Sequence, residues 1–130
     1  MTIQERSEKA VELRMRGGYN CSQAVTAVLA DQTELSEEHL RQISAGFCAG
    51  MGNMEATCGA LIGAGIVAGL KTGGVRTLQS TRSMIQAFQD RCGEVKCADL
   101  KSKVDGKVLC PCEDCVRNAV LIYGETIGLE

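Results

Sequence analysis

Eight cysteines distinguish this 130-residue chain, which has one histidine, one proline and no tryptophan. The densest group is Cys110-Pro111-Cys112-Glu113-Asp114-Cys115, which combines the spacings CxC and CxxC. Thiolates spaced in this way can converge on one soft metal ion or on an iron–sulfur cluster, or two of them can exchange a disulfide. Valine follows the last cysteine where a haem-attachment motif needs histidine, so covalent haem is excluded at this motif.

Three cysteines lie where the sequence predicts that helices begin, namely Cys21, Cys58 and Cys115, and Cys97 begins a predicted short turn. Unpaired backbone N–H groups and the positive end of the helix dipole stabilise a thiolate at such a position. We therefore expect these cysteines to have a lowered pKa. They should then be better nucleophiles and better metal ligands than buried structural thiols.

The elements that must position these thiols are helices. Apolar residues recur at helical spacing, which predicts an all-α fold, a compact bundle of about five to six helices in a single domain, residues 1–130. The predicted helices cover about 3–16, 20–31, 36–47, 58–70, 75–91 and 113–127. Between residues 92 and 110 the chain is predicted to be irregular, with one short turn at 97–100 and another at Asp105-Gly106.

The helix predicted over 58–70 is apolar on all sides and rich in glycine and alanine. Such a helix must be buried on most sides, and its small residues let another helix approach closely. We interpret it as a core helix; it is well short of the roughly 20 residues that span a bilayer. It also allows a homodimer, with packing inside the monomer as the alternative. The glycine-rich stretch 46–53 before it is predicted to be a hinge or site loop.

Charge and composition exclude several classes of partner. The net charge of −2 and the lack of a basic run argue against nucleic acid and against a membrane surface. The N-terminus lacks the apolar region of a secretory signal, so we expect a cytoplasmic protein, in which cysteines are more often ligands or redox groups than disulfide staples. The single histidine, His39, lies in a charged stretch and is expected to be a solvated surface residue, which argues against a Cys-His nucleophile.

The cysteine pattern resembles that of a family of small bacterial proteins, putative redox-active proteins named for the motif C_GCAxxG_C_C. The residues that carry the resemblance are Asn20-Cys21-Ser22-Gln23-Ala24-Val25, Gly50-Met51-Gly52, Cys58-Gly59-Ala60-Leu61-Ile62-Gly63, Cys97 and Cys115. The resemblance covers nearly the whole chain. It implies an all-helical fold and four family cysteines, Cys21, Cys58, Cys97 and Cys115, and the other four exceed that pattern.

Our leading hypothesis is that these four family cysteines converge in one helix-lined site and do redox work. Thiol–disulfide exchange would need one low-pKa attacking cysteine and a resolving partner. An iron–sulfur cluster or a thiolate-bound metal such as zinc would need three or four thiolates at once, drawn from Cys21, Cys58, Cys110, Cys112 and Cys115. The alternative is a non-catalytic metal-binding module with a structural, storage or sensor role. The redox partner, a protein or a small molecule, is left open.

Overall fold

The computed structural model describes residues 1–130 and consists of seven α-helices and one small antiparallel hairpin. The helices are α1 (Ile3–Arg16), α2 (Cys21–Val28), α3 (Glu37–Ser44), α4 (Gly59–Thr72), α5 (Thr77–Cys92), α6 (Cys97–Leu100) and α7 (Cys112–Ile127). The hairpin strands are β1 (Lys103–Val104) and β2 (Lys107–Val108). The predicted all-α class is thus confirmed. The seventh helix is the predicted short turn at 97–100, and the hairpin encloses the predicted Asp105-Gly106 turn.

Local capping interactions set the starts of the early helices. The Asn20 side chain accepts a hydrogen bond from the backbone N–H of Gln23, whose own side chain accepts from the backbone N–H of Asn20. In the same way the Ser36 hydroxyl accepts from the backbone N–H of His39. Each contact satisfies a donor that has no partner within the helix. The predicted starts after Asn20 and Ser36 are therefore confirmed.

The predicted loop between the third and fourth helices consists of two tight turns. The helix α3 ends at Ser44, and Phe47, which we expected on that helix, lies in a 3₁₀ turn over Ala45–Phe47. Gly46, which has low helix propensity, interrupts the helical run there. A π-turn follows over Gly50–Met54, and several of its residues have left-handed backbone angles.

The core is built around α7, which packs against α1, α2, α4 and α5. Its apolar face is fully buried and consists of Val116, Ala119, Val120, Ile122 and Tyr123. The prediction of a buried glycine- and alanine-rich helix is confirmed, because the Ala60, Ala64 and Ala68 side chains of α4 are also fully buried. None of the helices combines the length and the apolarity needed to cross a membrane.

Close approach of α4 to its neighbours depends on two glycines. A Cβ atom at Gly63 would lie 2.8 Å from the backbone oxygen of Ser22 in α2, and one at Gly59 would lie 2.1 Å from that of Phe47. The small residues of α4 thus serve packing within the monomer. The homodimer stays a prediction.

Candidate cysteine site

Helix starts carry most of the cysteines, as the sequence predicted. Cys21 is the first residue of α2, Cys97 is the first residue of α6, and Cys58 is the residue immediately before α4. Cys115 lies in the first turn of α7, but the first residue of that helix is Cys112. Because α2, α4 and α7 pack against one another, their cysteine-bearing ends lie close together.

The thiols meet as neighbouring pairs. The Cys21 side chain interacts with that of Cys112, and the Cys58 side chain interacts with that of Cys115. The sulfurs of Cys110 and Cys115 are 3.5 Å apart, and the Cys110 side chain also interacts with Cys92 at the end of α5. All eight cysteines are free thiols in this structure. The thiols therefore gather near the start of α7 in two sets of contacts, Cys21 with Cys112, and Cys58, Cys110 and Cys92 around Cys115.

Cys97, the remaining family cysteine, lies beside this group. Its sulfur is 3.6 Å from the sulfur of Met54 in the π-turn. Ionisation of Cys58 or Cys112 would still affect Cys97, because a negative charge on either side chain raises the pKa of the Cys97 thiol. The left-handed backbone of Met54, with φ of 68°, places this thioether next to the thiol. Sequence reasoning did not identify Met54, because its contact with Cys97 depends on the shape of the π-turn.

Two cations reach the thiols, and sequence reasoning identified neither. The Lys101 ammonium lies 3.5 Å from the sulfur of Cys115 and donates a hydrogen bond to the backbone oxygen of Cys110 at 2.9 Å. The Arg14 Nε lies 3.3 Å from the sulfur of Cys21. Lys101 had no local signal for its contact with Cys115, because the two residues lie 14 positions apart in the chain. Arg14 had no local signal, because its contact depends on how α1 crosses α2.

The prediction of lowered pKa values is wrong for Cys21, Cys58 and Cys97. The interaction with Cys112 and burial both raise the pKa of Cys21, although Arg14 opposes them. The interaction with Cys115 and burial raise the pKa of Cys58, and burial raises that of Cys97. A helix start favours a thiolate, but removal of the thiol from water and a second thiol beside it outweigh that effect here.

Cys112 is the thiol whose pKa is lowered. The Cys21 side chain supports its thiolate, burial opposes ionisation, and the charges of Lys101 and Arg14 favour it; together they lower the pKa of Cys112 to about 5. Cys112 is also half-buried, whereas Cys21 is 7% exposed. At neutral pH the pair therefore consists of an accessible thiolate and a buried thiol.

Lys101 remains charged despite its half-buried position. Burial lowers its pKa, but the neighbouring Cys115, Cys112 and Cys58 side chains more than offset this effect, so the pKa of Lys101 is raised. The ammonium group thus supplies a permanent positive charge at the point where the cysteine-bearing helix ends meet. A charge of this kind stabilises a thiolate that forms by ionisation or leaves a disulfide.

The deeper thiols remain protonated. The Cys110 side chain lowers the pKa of Cys92, but Cys115 and burial outweigh it and raise that pKa to about 12. The Cys115 side chain lowers the pKa of Cys110, but Cys92 and burial raise it to about 12.

Two other candidate side chains near or outside the site are exposed. Glu55 forms an ion pair with Lys96, and His39 is exposed as predicted.

The donors are suited to a soft metal, because they are thiols with no histidine among them. Thiolates without histidine would favour zinc, copper(I) or an iron–sulfur cluster. In this structure no three or more Cys, His, Asp or Glu side chains are placed to hold one metal ion. The geometry instead provides thiol pairs.

A family model matches residues 19–126, with the description "Putative redox-active protein (C_GCAxxG_C_C)". The chain belongs to this family. The match includes every cysteine of the chain, and the resemblance inferred from the motif is thereby confirmed. Neither a curated protein nor a solved structure gives a significant match. The family description indicates redox chemistry. The geometry above identifies Cys112 as a thiol that is both partly exposed and readily ionised.

Proposed function

We propose that this protein is a thiol–disulfide redox protein in which Cys112 is the attacking thiolate and Cys21 is the resolving thiol. The observation that carries the proposal is the pair itself, a half-buried cysteine at the start of a long helix beside a buried cysteine, with Lys101 and Arg14 next to them. The family description as a redox-active protein supports it. We expect the protein to act in the cytoplasm.

The reaction would begin when the Cys112 thiolate attacks one sulfur of a substrate disulfide. A bond forms between that sulfur and Cys112, the substrate disulfide breaks, and its other sulfur leaves as a thiolate. Cys21 then loses its proton and attacks the Cys112 sulfur, which releases the second substrate thiolate and forms a Cys21–Cys112 disulfide. The substrate gains two electrons and the two cysteines lose them; Cys21 gives up one proton, and the two departing thiolates take up that proton and a further one from solvent.

Each neighbouring group has a role in these steps. Lys101 and Arg14 stabilise the Cys112 thiolate before attack and again when it leaves during reduction of the protein. Arg14 also lies 3.3 Å from Cys21 and would stabilise the thiolate that resolves the mixed disulfide. The buried position of Cys21 makes Cys112 the sulfur that an external disulfide meets first.

The mixed disulfide provides the test. With glutathione disulfide as the probe, a double variant, Cys21→Ser with Cys115→Ser, should accumulate one glutathione on Cys112, because neither the resolving thiol nor the thiol three residues after Cys112 is present to displace it. The wild-type protein should instead release both glutathione thiols and acquire a Cys21–Cys112 disulfide, which mass spectrometry of the alkylated peptides can locate. Cys48→Ser, which replaces another half-buried thiol, is the matched control. Glutathione on any other cysteine of the double variant would contradict the proposal.

A metal- or cluster-binding function is the second candidate. The observation that favours it is the contact of 3.5 Å between Cys110 and Cys115, with Cys58 and Cys92 beside Cys115. Anaerobic purification followed by elemental analysis separates the candidates. Stoichiometric iron, zinc or copper bound through these cysteines would support the second candidate, in its redox or its non-catalytic form. A metal-free protein whose free-thiol count rises in pairs on reduction would support the first.

A further inference from the structure

The proposed exchange uses two cysteines, and it leaves a buried chain of sulfurs unexplained. On the face of α7 that carries Cys112, Cys115 follows three residues later, completing the CxxC motif. The Cys115 thiol donates toward the Cys110 sulfur at 3.5 Å, and Cys110 in turn interacts with Cys92. The exposed fractions of Cys115, Cys110 and Cys92 are 0%, 5% and 4%. External disulfides cannot reach sulfurs buried to this extent directly.

We propose that Cys115, Cys110 and Cys92 form an internal relay that moves a disulfide from Cys112 to a buried resting place between Cys92 and Cys110. This inference rests on the proposed function, because the disulfide must first enter as Cys21–Cys112. The relay would free the accessible pair for a second substrate disulfide. One protein molecule could then store two disulfides, equivalent to four electrons removed.

The relay consists of three exchanges, each balanced in bonds and protons. Cys115 attacks the Cys112 sulfur and releases Cys21; Cys110 then attacks the Cys115 sulfur and releases Cys112; finally Cys92 attacks the Cys110 sulfur and releases Cys115. In each exchange one sulfur–sulfur bond forms and one breaks. In the first and last exchanges the departing thiolate takes up the proton that the attacking thiol gives up, and in the second Cys112 stays ionised and the proton of Cys110 goes to solvent. No outside oxidant or reductant is needed after entry.

Polar groups lie next to the sulfurs that must attack or leave. The Lys101 ammonium, 3.5 Å from Cys115, stabilises that sulfur as an attacking thiolate in the first exchange and as a leaving thiolate in the last. The Cys115 thiol donates toward Cys110, and the Asn118 amide donates to the Cys92 sulfur at 3.6 Å. Cys112, the least basic thiol, is the group that leaves in the second exchange, and less basic thiols leave faster.

The direction of the relay follows from the thiolate that it frees, because Lys101 and Arg14 stabilise Cys112 once it has left the disulfide. The Cys21–Cys112 disulfide would lie at a half-exposed position where external thiols can attack it. A Cys92–Cys110 disulfide would join the end of α5 to the segment before α7 and would be hidden from external thiols. Reduction of the buried disulfide from outside would therefore have to follow the same exchanges backwards.

The test follows the disulfide in time. Reduced protein receives one equivalent of glutathione disulfide without oxygen, portions are quenched with acid, and peptide mapping locates the bond. In the wild-type protein the Cys21–Cys112 disulfide should appear first and decline as Cys92–Cys110 rises, with one disulfide per chain throughout. In Cys115→Ser the first disulfide should form at the wild-type rate and persist, with Cys92–Cys110 at least tenfold slower to appear.

Two variants keep the test decisive where Cys115→Ser perturbs the core. In Cys110→Ser the disulfide should stop at Cys112–Cys115. The control Cys48→Ser should leave the whole time course unchanged. Circular dichroism checks that each variant keeps its helices. A wild-type disulfide that stays at Cys21–Cys112 would overturn the relay and leave the proposed function standing. Formation of Cys92–Cys110 at the wild-type rate in Cys115→Ser would also overturn it. If no disulfide ever includes Cys112, both proposals fail.

Discussion

The accessible pair, named for the half-buried Cys112 that covers the buried Cys21, and the buried set, Cys92, Cys110 and Cys115, contain the same chemical group in different environments. The accessible pair has Arg14 and Lys101 beside it, and one of its thiols is ionised near neutral pH. In the buried set the pKa values of Cys92 and Cys110 are raised to about 12. Helix starts alone do not produce a reactive thiol; the start of α7 does so because water and cations also reach it.

The largest expected effect is the loss of the reactive thiol itself. At about pH 5.5 the lowered pKa of Cys112 gives it a thiolate fraction roughly a thousandfold that of an ordinary cysteine, but its lower basicity makes the thiolate a weaker nucleophile. We expect Cys112→Ser to slow the fastest alkylation by iodoacetamide roughly thirtyfold at that pH. Alkylation that is quenched at a series of times and followed by mass spectrometry measures this rate. Survival of the fast phase would assign the reactive thiolate to another cysteine.

The next prediction concerns stability and the close packing at Gly59, the residue that follows Cys58. A Cβ at Gly59 would lie 2.1 Å from the backbone oxygen of Phe47, so we expect Gly59→Ala to lower the free energy of unfolding by about 1–3 kcal/mol. The matched control is Gly65→Ala on the same helix, where the nearest atom, in Thr81, is 3.6 Å away. That variant should be neutral or stabilising by up to about 1 kcal/mol. Urea denaturation of both variants measures the difference, and equal values would contradict the packing described for Gly59.

Removing a cation should make the accessible pair resemble the buried set. We expect Lys101→Met to move the pH midpoint of Cys112 alkylation upward by about one unit, because a nearby positive charge favours the thiolate. Arg14→Met should have a smaller effect in the same direction, since its charge contributes less than that of Lys101. Lys101→Arg keeps the charge and should restore most of the wild-type midpoint. An unchanged midpoint in Lys101→Met would show that Lys101 does not stabilise this thiolate.

A further prediction concerns stability at alkaline pH. The pKa values of Cys92 and Cys110 are about 12 in the folded protein against an ordinary value of 9.0. The folded state therefore binds more protons than the unfolded chain between these values, and the free energy of unfolding should decrease as pH rises above about 9. Urea denaturation at several pH values measures the slope, and Cys92→Ser should make it shallower. A slope that Cys92→Ser leaves unchanged would show that Cys92 ionises equally in both states.

The features that sequence alone predicted are local ones. Asn20 and Ser36 cap helices through residues only three positions away, so the starts of α2 and α3 could be predicted. The cysteines at helix starts followed from the same local signals. Burial of α4 could be predicted too, because a helix that is apolar on all sides has no other stable environment in water.

The features that sequence alone did not predict depend on how helices cross. Whether Cys112 or Cys115 meets Cys21 depends on the rotation of α7 against α2, and the contact of Arg14 depends on where α1 lies. The wrong expectation for Cys21 and Cys58 has the same origin, because it considered each helix start without the second thiol that faces it. The end of α3 at Ser44 depended on competition between a helical pattern and Gly46.

The central claim is that Cys112 is an accessible thiolate stabilised by nearby cations. Its most direct test is the pH dependence of iodoacetamide alkylation in the reduced wild-type protein, measured at each cysteine by peptide mass spectrometry. The structure predicts that Cys112 reacts with a midpoint well below the ordinary thiol pKa, because Cys21, Lys101 and Arg14 favour its thiolate, while Cys92 and Cys110 stay unreacted until the protein unfolds. A Cys112 rate that rises only around the ordinary thiol pKa, or that trails another cysteine below pH 7, would contradict the assignment of Cys112 as the attacking thiolate.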